Sequence, residues 1–212
     1  VLVLSVVVGS HAYGLSTPGS DVDRRGVFVT PTRDFWRFDK PPTSREGPRP
    51  EELNWEVEHF CALALKANPT VLEVLVSPVV EVRTPLGDEL RALLPAFLSL
   101  RAVDSYSRAT TAQFARARGA EPKWKQAMHV VRLLLVCRDL VRTGELSVDA
   151  GPYRERLLAV RRGEVPWDEV RAWVDVLRAE IGAADSPLPP EPDQAAVESW
   201  LMSVRKRALV SA

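Results

Sequence analysis

The sequence predicts an α+β protein, with an α/β region over residues 1–95 and an all-helical region over residues 96–212. Three observations carry that reading. Residues 2–8 form an apolar run rich in β-branched valine and too short for a stable isolated helix, so they read as a buried strand stopped by Gly9. A second strand, Gly26-Val27-Phe28-Val29, follows a connection that contains Gly14, Pro18 and Gly19. Beyond Thr84-Pro85 apolar residues recur at helical spacing, with prolines at several helix starts.

The first strand and its exit matter most. Gly9-Ser10-His11-Ala12-Tyr13-Gly14 leads through Ser20-Asp21-Val22-Asp23 into the second strand, which is expected to begin with the two carboxylates. In a strand, residues i and i+2 share a face, so Asp21 and Asp23 project together while Val22 turns away. Paired carboxylates repel unless a cation or proton lies between them, and hard oxygen ligands suit Mg²⁺ or Mn²⁺. Gly9-Ser10 offers what a triphosphate needs: close backbone approach, free N–H groups and a hydroxyl. The plainer alternative is that Asp21 and Asp23 only open a strand after a polar turn, with Ser20 satisfying backbone groups.

Residues 30–50 are dense in Pro, Arg and Thr without helical periodicity and read as a loop or flap. Phe35, Trp36 and Phe38, interleaved with Arg33 and Arg37, suit either base stacking or a small satellite core. From Trp55 the apolar spacing becomes helical as far as Lys66, where Asn68-Pro69 ends the helix. A short helix and a strand fit residues 70–82. Helices are expected over 86–94, 95–118, 122–142, 153–161, 166–181 and 192–209, with an extended proline-rich linker at 186–192. Lys125, His129 and Arg132 fall on one helical face, near Lys123, and form a basic stripe that Arg108, Arg116 and Arg118 could extend. An ordinary solvated face is the alternative.

Twenty-eight Lys+Arg balance 28 Asp+Glu, so no global basic field announces nucleic acid, and any such contact must be local. The two cysteines, Cys61 and Cys137, lie in apolar helical stretches and read as buried thiols, which fits a reducing cytoplasm. The opening apolar run is too short to cross a bilayer, so no membrane association is expected. An opening at Val1 rather than methionine leaves room for native residues before it.

Gly9-Ser10 followed by Asp21-Val22-Asp23 resembles the signature of the DNA polymerase β-like nucleotidyltransferase superfamily. The fuller text GSHAYGLSTPGSDVDRRGVFV, then WEVEHFCALALKANPTVLEVL, then HVVRLLL with TGEL, is similar to nucleotidyltransferases associated with RNA ligases and RNA repair. The resemblance implies a nucleotidyltransferase catalytic domain with a mixed sheet at 1–95 and a helical domain at 96–212 that closes the cleft. It implies NMP transfer from an NTP to an acceptor hydroxyl, an RNA end first among acceptors, with an RNA ligase or repair enzyme as partner. A non-catalytic nucleotide- or RNA-binding module and a protein-modifying, AMPylating enzyme are the alternatives. Asp21, Asp23 and a third acid would hold Mg²⁺ or Mn²⁺. Glu56 is the first choice for that acid, with Glu51 and Glu52 as the others, and all three also suit the first turn of a helix. Gly9, Ser10, Ser20, Lys123, Lys125, His129 and Arg132 would bind the nucleotide, and Glu73, in an Asn-Pro-x-x-x-Glu element, would orient a loop or a basic residue near the site.

Overall fold

β1 (Leu2–Val7) is buried from Val3 onward and lies inside the sheet, with a neighbour on each side. The computed structural model describes residues 1–118 and 121–210. Its described residues form one five-stranded sheet in the order β3-β4-β2-β1-β5. β2 (Arg24–Phe28) and β5 (Val80–Arg83) flank β1 antiparallel, while β4 (Glu52–Glu56) runs parallel to β2 and carries the edge strand β3 (Ser44–Glu46). The sheet is therefore mixed.

Helix α1 (Val57–Ala64) leaves β4 directly, and Glu56 caps it by accepting from the Glu58 N–H at 2.8 Å. Trp55, expected inside the helix, ends up buried in β4 because the period switches from two to 3.6 only at the cap. Asn68 caps α2 (Pro69–Val76) and Thr84 caps α3 (Pro85–Ala92), each followed by proline in the first turn. A single helix over residues 95–118 does not form. Instead α4 (Leu94–Phe97) and α5 (Arg101–Ala117) are separated by an extended Leu98, where the proline-rich linker straps across through Leu100 N–H to Pro189 O at 2.9 Å.

α6 (Trp124–Thr143) is buried on nearly all sides between α5, α7 (Arg154–Arg162) and α8 (Trp167–Ala183). The last helix, α9 (Gln194–Val210), returns to the sheet side and packs on α1, α4 and a 3₁₀ turn at Thr32–Trp36. That turn and β3 give residues 30–50 more order than the sequence predicted. Phe35 stacks under the Arg205 guanidinium at 4.3 Å and Thr32 Oγ1 donates to Arg205 O at 2.6 Å, whereas Trp36 and Phe38 stay exposed. One hydrophobic core runs continuously from β1 through α2 to α6, α8 and α9. Cys61 and Cys137 are buried free thiols, both pushed up to about 12 by burial. Among the described residues no single helix is long and apolar enough to cross a membrane.

Candidate active site

The end of β1 sets the site. Gly9 turns the chain with φ +70°, a conformation that costs an L side chain about 1–2 kcal/mol. Tyr13 N–H then donates to Gly9 O at 3.1 Å and Leu15 N–H to Ser10 O at 2.8 Å, closing a tight turn. Val8 N–H donates to Asp23 O at 2.8 Å, which carries the β1–β2 pairing one residue past the strand and sets Asp23 against the glycine. A Cβ at residue 9 would sit 2.7 Å from Asp23 Oδ2.

Asp21 and Asp23 were expected inside the second strand, but β2 begins at Arg24. Once Gly9 turns β1 away, residues 20–22 have no neighbour to pair with. Alternation survives all the same: Asp23 and Arg25 line one cleft, while Arg24 points to Glu81 at 3.1 Å.

That cleft, of about 750 Å³, lies between the end of the sheet and helices α5 and α6. Gly9, Ser10, Ser20, Asp21 and Asp23 line one wall, and Lys125, His129 and Arg132 the other, so the structure brings these eight expected residues together. Arg116 joins the second wall, whereas Arg108 and Arg118 do not line the cleft. Lys123 lies outside it, exposed just ahead of α6.

None of the three glutamates reaches the cleft. Glu56 pairs with Phe28 in the parallel register and so stands at the far end of β2 from Asp23, roughly 16 Å away by strand rise alone. Its carboxylate is buried and accepts from Arg205 Nη1 at 2.9 Å and Nη2 at 2.8 Å and from Thr30 N–H at 3.3 Å. Glu56 therefore serves as a helix cap and ion-pair partner. Glu52 is tied to Arg49 at 2.8 Å and to Asn54 at 3.1 Å, and Arg49 holds its carboxyl below the usual carboxylate range. Glu51 is exposed, with a left-handed backbone whose carbonyl accepts from Arg24 N–H and Arg25 Nη1. The β4 residue beside Arg25 is Leu53. Among the described residues, no three His, Cys, Asp or Glu side chains are grouped to share a metal ion.

A buried polar network backs the cleft. Arg132 is 1 % exposed; its Nη2 donates to Glu73 Oε1 at 2.8 Å and its guanidinium stacks 3.6 Å above the centre of the Tyr13 ring. Tyr13 Oη donates to the other oxygen of Glu73. Burial acts against the Arg132 charge, but Glu73 and Tyr13 outweigh it and hold the guanidinium above its ordinary range; burial, together with Glu73, raises the Tyr13 phenol. Arg132 Nε and Nη1 have no hydrogen-bond partner among the described residues, at a desolvation cost of about 1–3 kcal/mol for each such group. Tyr13, Glu73 and Arg25 line the cleft with them. Arg25 was readable as the i+2 neighbour of Asp23; nothing local marks Tyr13 as the stacking partner of a residue 119 positions away.

The loop that carries Ser10 is fixed from the helical side. Ala150 N–H donates to Tyr13 O at 3.1 Å, Arg154 Nε to Gly14 O at 2.8 Å and Arg161 Nη1 to Leu15 O at 3.1 Å. Its far end is closed by Ser20 Oγ, which accepts from Thr17 N–H at 2.9 Å.

His129 is held neutral, its pKa lowered to about 3 by burial and then by the Arg132 and Lys125 charges. The unfolded chain protonates this ring near pH 6.5. Between those values the unfolded state binds a proton that the folded state refuses, so His129 favours folding fully above pH 6.5 and loses that contribution as pH falls toward 3. Urea denaturation at pH 7.5 and 5.5 is expected to show a smaller pH dependence for His129→Gln than for the wild type, by up to about 1.4 kcal/mol per pH unit. An unchanged pH dependence would place His129 in free contact with solvent.

Compared with known proteins, residues 1–203 match the model of RlaP, the RNA repair pathway DNA polymerase beta family. No curated protein and no solved structure matches the chain. A family match over all but the last nine residues, on a chain whose Gly-Ser turn abuts an Asp-x-Asp segment, places this protein in the RNA repair pathway DNA polymerase beta family.

Proposed function

We propose that the protein is a metal-dependent nucleotidyltransferase that moves NMP from an NTP to an acceptor hydroxyl, an RNA end being the first choice of acceptor because the family is described as belonging to an RNA repair pathway. The observation that carries the reading is the meeting of the Gly9-Ser10 turn and the Asp21/Asp23 pair on one wall of a cleft whose other wall is cationic. In a chain of zero net charge, Arg25, Arg116, Lys125, Arg132 and Arg161 all line this one cleft, which suits a polyphosphate.

Asp21 and Asp23 are two hard carboxylates lining the cleft, and Asp23 Oδ2 reaches its place only because Gly9 lacks a Cβ. Such a pair fits a Mg²⁺ or Mn²⁺ ion that completes its shell with water and nucleotide oxygens. Bound there, the ion would neutralise charge on the phosphoryl oxygens and lower the pKa of the attacking hydroxyl. Ser10 Oγ and the backbone of the turn would orient the triphosphate, and Lys125 and Arg132 would hold its phosphates from the opposite wall. In the reaction the acceptor oxygen bonds to the α-phosphorus, the bond from that phosphorus to the β-phosphate oxygen breaks, and pyrophosphate leaves.

Calorimetric titration of ATP, GTP, CTP and UTP with Mg²⁺ or Mn²⁺ tests this. The wild type is expected to bind at least one triphosphate in a metal-strengthened manner, and Asp21→Ala/Asp23→Ala to weaken that binding at least about tenfold. Equal affinity in the double variant, or no binding with either metal, would count against the assignment.

A further inference from the structure

We infer that the outer side of the turn at residues 32–40 is a stacking platform for single-stranded RNA, with Trp36 and Phe38 as its rings and Arg33, Arg37 and Lys40 as the cations around them. The inference rests on the nucleotidyltransferase reading only for the role of that RNA as acceptor; the binding itself rests on the surface. Among the described residues, Trp36 at 69 % and Phe38 at 105 % exposure are the only exposed aromatic side chains, every other Phe, Tyr and Trp being buried or partly buried. Leaving two large rings in water forgoes the free energy that burial would give them.

The turn that carries the rings is fixed. Asp34 N–H donates to Pro31 O at 3.0 Å, Arg37 N–H to Asp34 O at 3.3 Å and Lys40 Nζ to Phe35 O at 2.6 Å, while Thr32 and Phe35 are anchored on Arg205 from the inner side. Trp36 and Phe38 are therefore held outward by a preorganised backbone, which lowers the ordering cost of binding. Only one residue, the extended Arg37, separates them, so their Cα atoms lie no more than about 7 Å apart and neighbouring bases of one strand can reach both rings. Every base has a π-face, and a cation beside each ring meets the phosphates between bases. Residues 30–50 carry five Lys/Arg against three Asp/Glu in a chain that balances overall. The same stretch holds no Ala, Val, Leu, Ile or Met to close a water-free patch around the rings, as a protein-docking anchor requires. A duplex hides its base faces, so the occupant that fits is a single strand.

The platform follows the end of β2 that lies away from Asp23, roughly 16 Å distant at Phe28 by strand rise alone. It therefore holds the strand at a distance from the reacting hydroxyl. Asp34 and Asp39 lie among the three cations, so the grip comes first from the rings and its salt dependence is shallow. Anisotropy of an end-labelled uridine oligonucleotide of about twelve residues, titrated with the metal-free full-length chain, tests this, with the same strand annealed to its complement as control. The single strand is expected to bind at least about tenfold more tightly than the duplex, and Trp36→Leu/Phe38→Leu to bind it about tenfold or more weakly than the wild type. Trp36→Tyr/Phe38→Tyr, which keeps the rings, is expected to stay within about threefold of the wild type. Log affinity against log salt is expected to slope no more steeply than about −2, and Arg33→Gln/Arg37→Gln to flatten it by roughly 0.7 for each cation removed. Thermal midpoints stay near the wild-type value in all these variants, because the side chains changed are exposed.

A single strand bound no better than the duplex, equal affinities in the wild type and the leucine variant, or a tyrosine variant as weak as the leucine one would overturn the inference. So would self-association of the wild type that the leucine variant abolishes with RNA affinity unchanged, which makes the rings a contact between copies of the chain. Metal-strengthened NTP binding that needs Asp21 and Asp23, with RNA affinity indifferent to the rings, removes the platform and leaves the nucleotidyltransferase reading standing. Ring-dependent RNA binding without any NTP binding does the reverse.

Discussion

Gly9→Ala is expected to reduce nucleotidyl transfer by roughly 10²-fold while costing the fold only about 1–2 kcal/mol. The backbone at residue 9 has φ +70°, so any side chain is strained there, and that strain sets the modest stability cost. The functional cost has a different origin. A methyl group on residue 9 falls 2.7 Å from Asp23 Oδ2 and 3.5 Å from its Cγ, so the carboxylate must rotate or retreat. Asp23 is a short side chain on a paired backbone, since its carbonyl accepts from Val8 N–H at 2.8 Å. Its side chain is 35 % exposed at the cleft, so it gives way at little cost to the fold, yet a displacement of about 1 Å is enough to uncouple a positioned group from its chemistry. Transfer of label from an NTP to an RNA end, measured beside a urea melt, separates the two effects. If Gly9→Ala transfers label as well as the wild type, Asp23 does not act from the position it occupies here.

Arg205→Ala carries the second large effect, on stability. It leaves the Glu56 side chain, 3 % exposed, without the guanidinium that meets both its oxygens, and breaking such a buried pair costs about 3–5 kcal/mol. Thr30 and Glu58 N–H groups still bond the carboxylate, but they bring no full charge. The same change also strips the cation from the face of Phe35 and loosens α9 from α1 and the 3₁₀ turn. Denaturant midpoints are expected to fall accordingly, and Arg205→Met/Glu56→Gln to recover much of the loss because no buried unpaired charge remains, Glu58 being exposed. Metal-strengthened NTP binding by whatever fraction stays folded is expected to be unaffected, for this pair lies at the opposite end of β2 from Asp23. Glu56→Gln that folds normally yet loses metal-strengthened binding would return Glu56 to the metal site.

The two predictions mark how differently the parts of the site were written in the chain. Gly9, Ser10, Asp21 and Asp23 fall within fifteen residues, and their meeting depends on one strand exit and one antiparallel pairing, both local and both signalled by residue type. Helices α2, α3 and α6 to α9 were legible for a similar reason, since apolar period and proline placement act over single turns. Lys125, His129 and Arg132 were found on one face because helical spacing fixes which side chains stand together.

What local rules could not choose was the partner of each charge. Glu51, Glu52 and Glu56 look alike in the sequence, and only the parallel register of β4 on β2, with the return of α9 across residues 57–193, sends Glu56 to Arg205 and leaves Leu53 beside Arg25. The role of Glu73, expected only to orient a loop or a basic residue, has no named partner until α6 brings Arg132 to it. A buried charge is tolerable only where a partner is supplied, and in this chain the partners lie 59 and 149 positions away. By itself the sequence determined the mixed α+β class, the Gly-Ser turn and the aspartate pair, because each follows from short-range sterics and periodicity. The tertiary structure alone decided which acids face the cleft, which are spent on arginines, and that Arg132 keeps two donors unspent, because desolvation and charge pairing are settled by residues that meet only when the chain is folded.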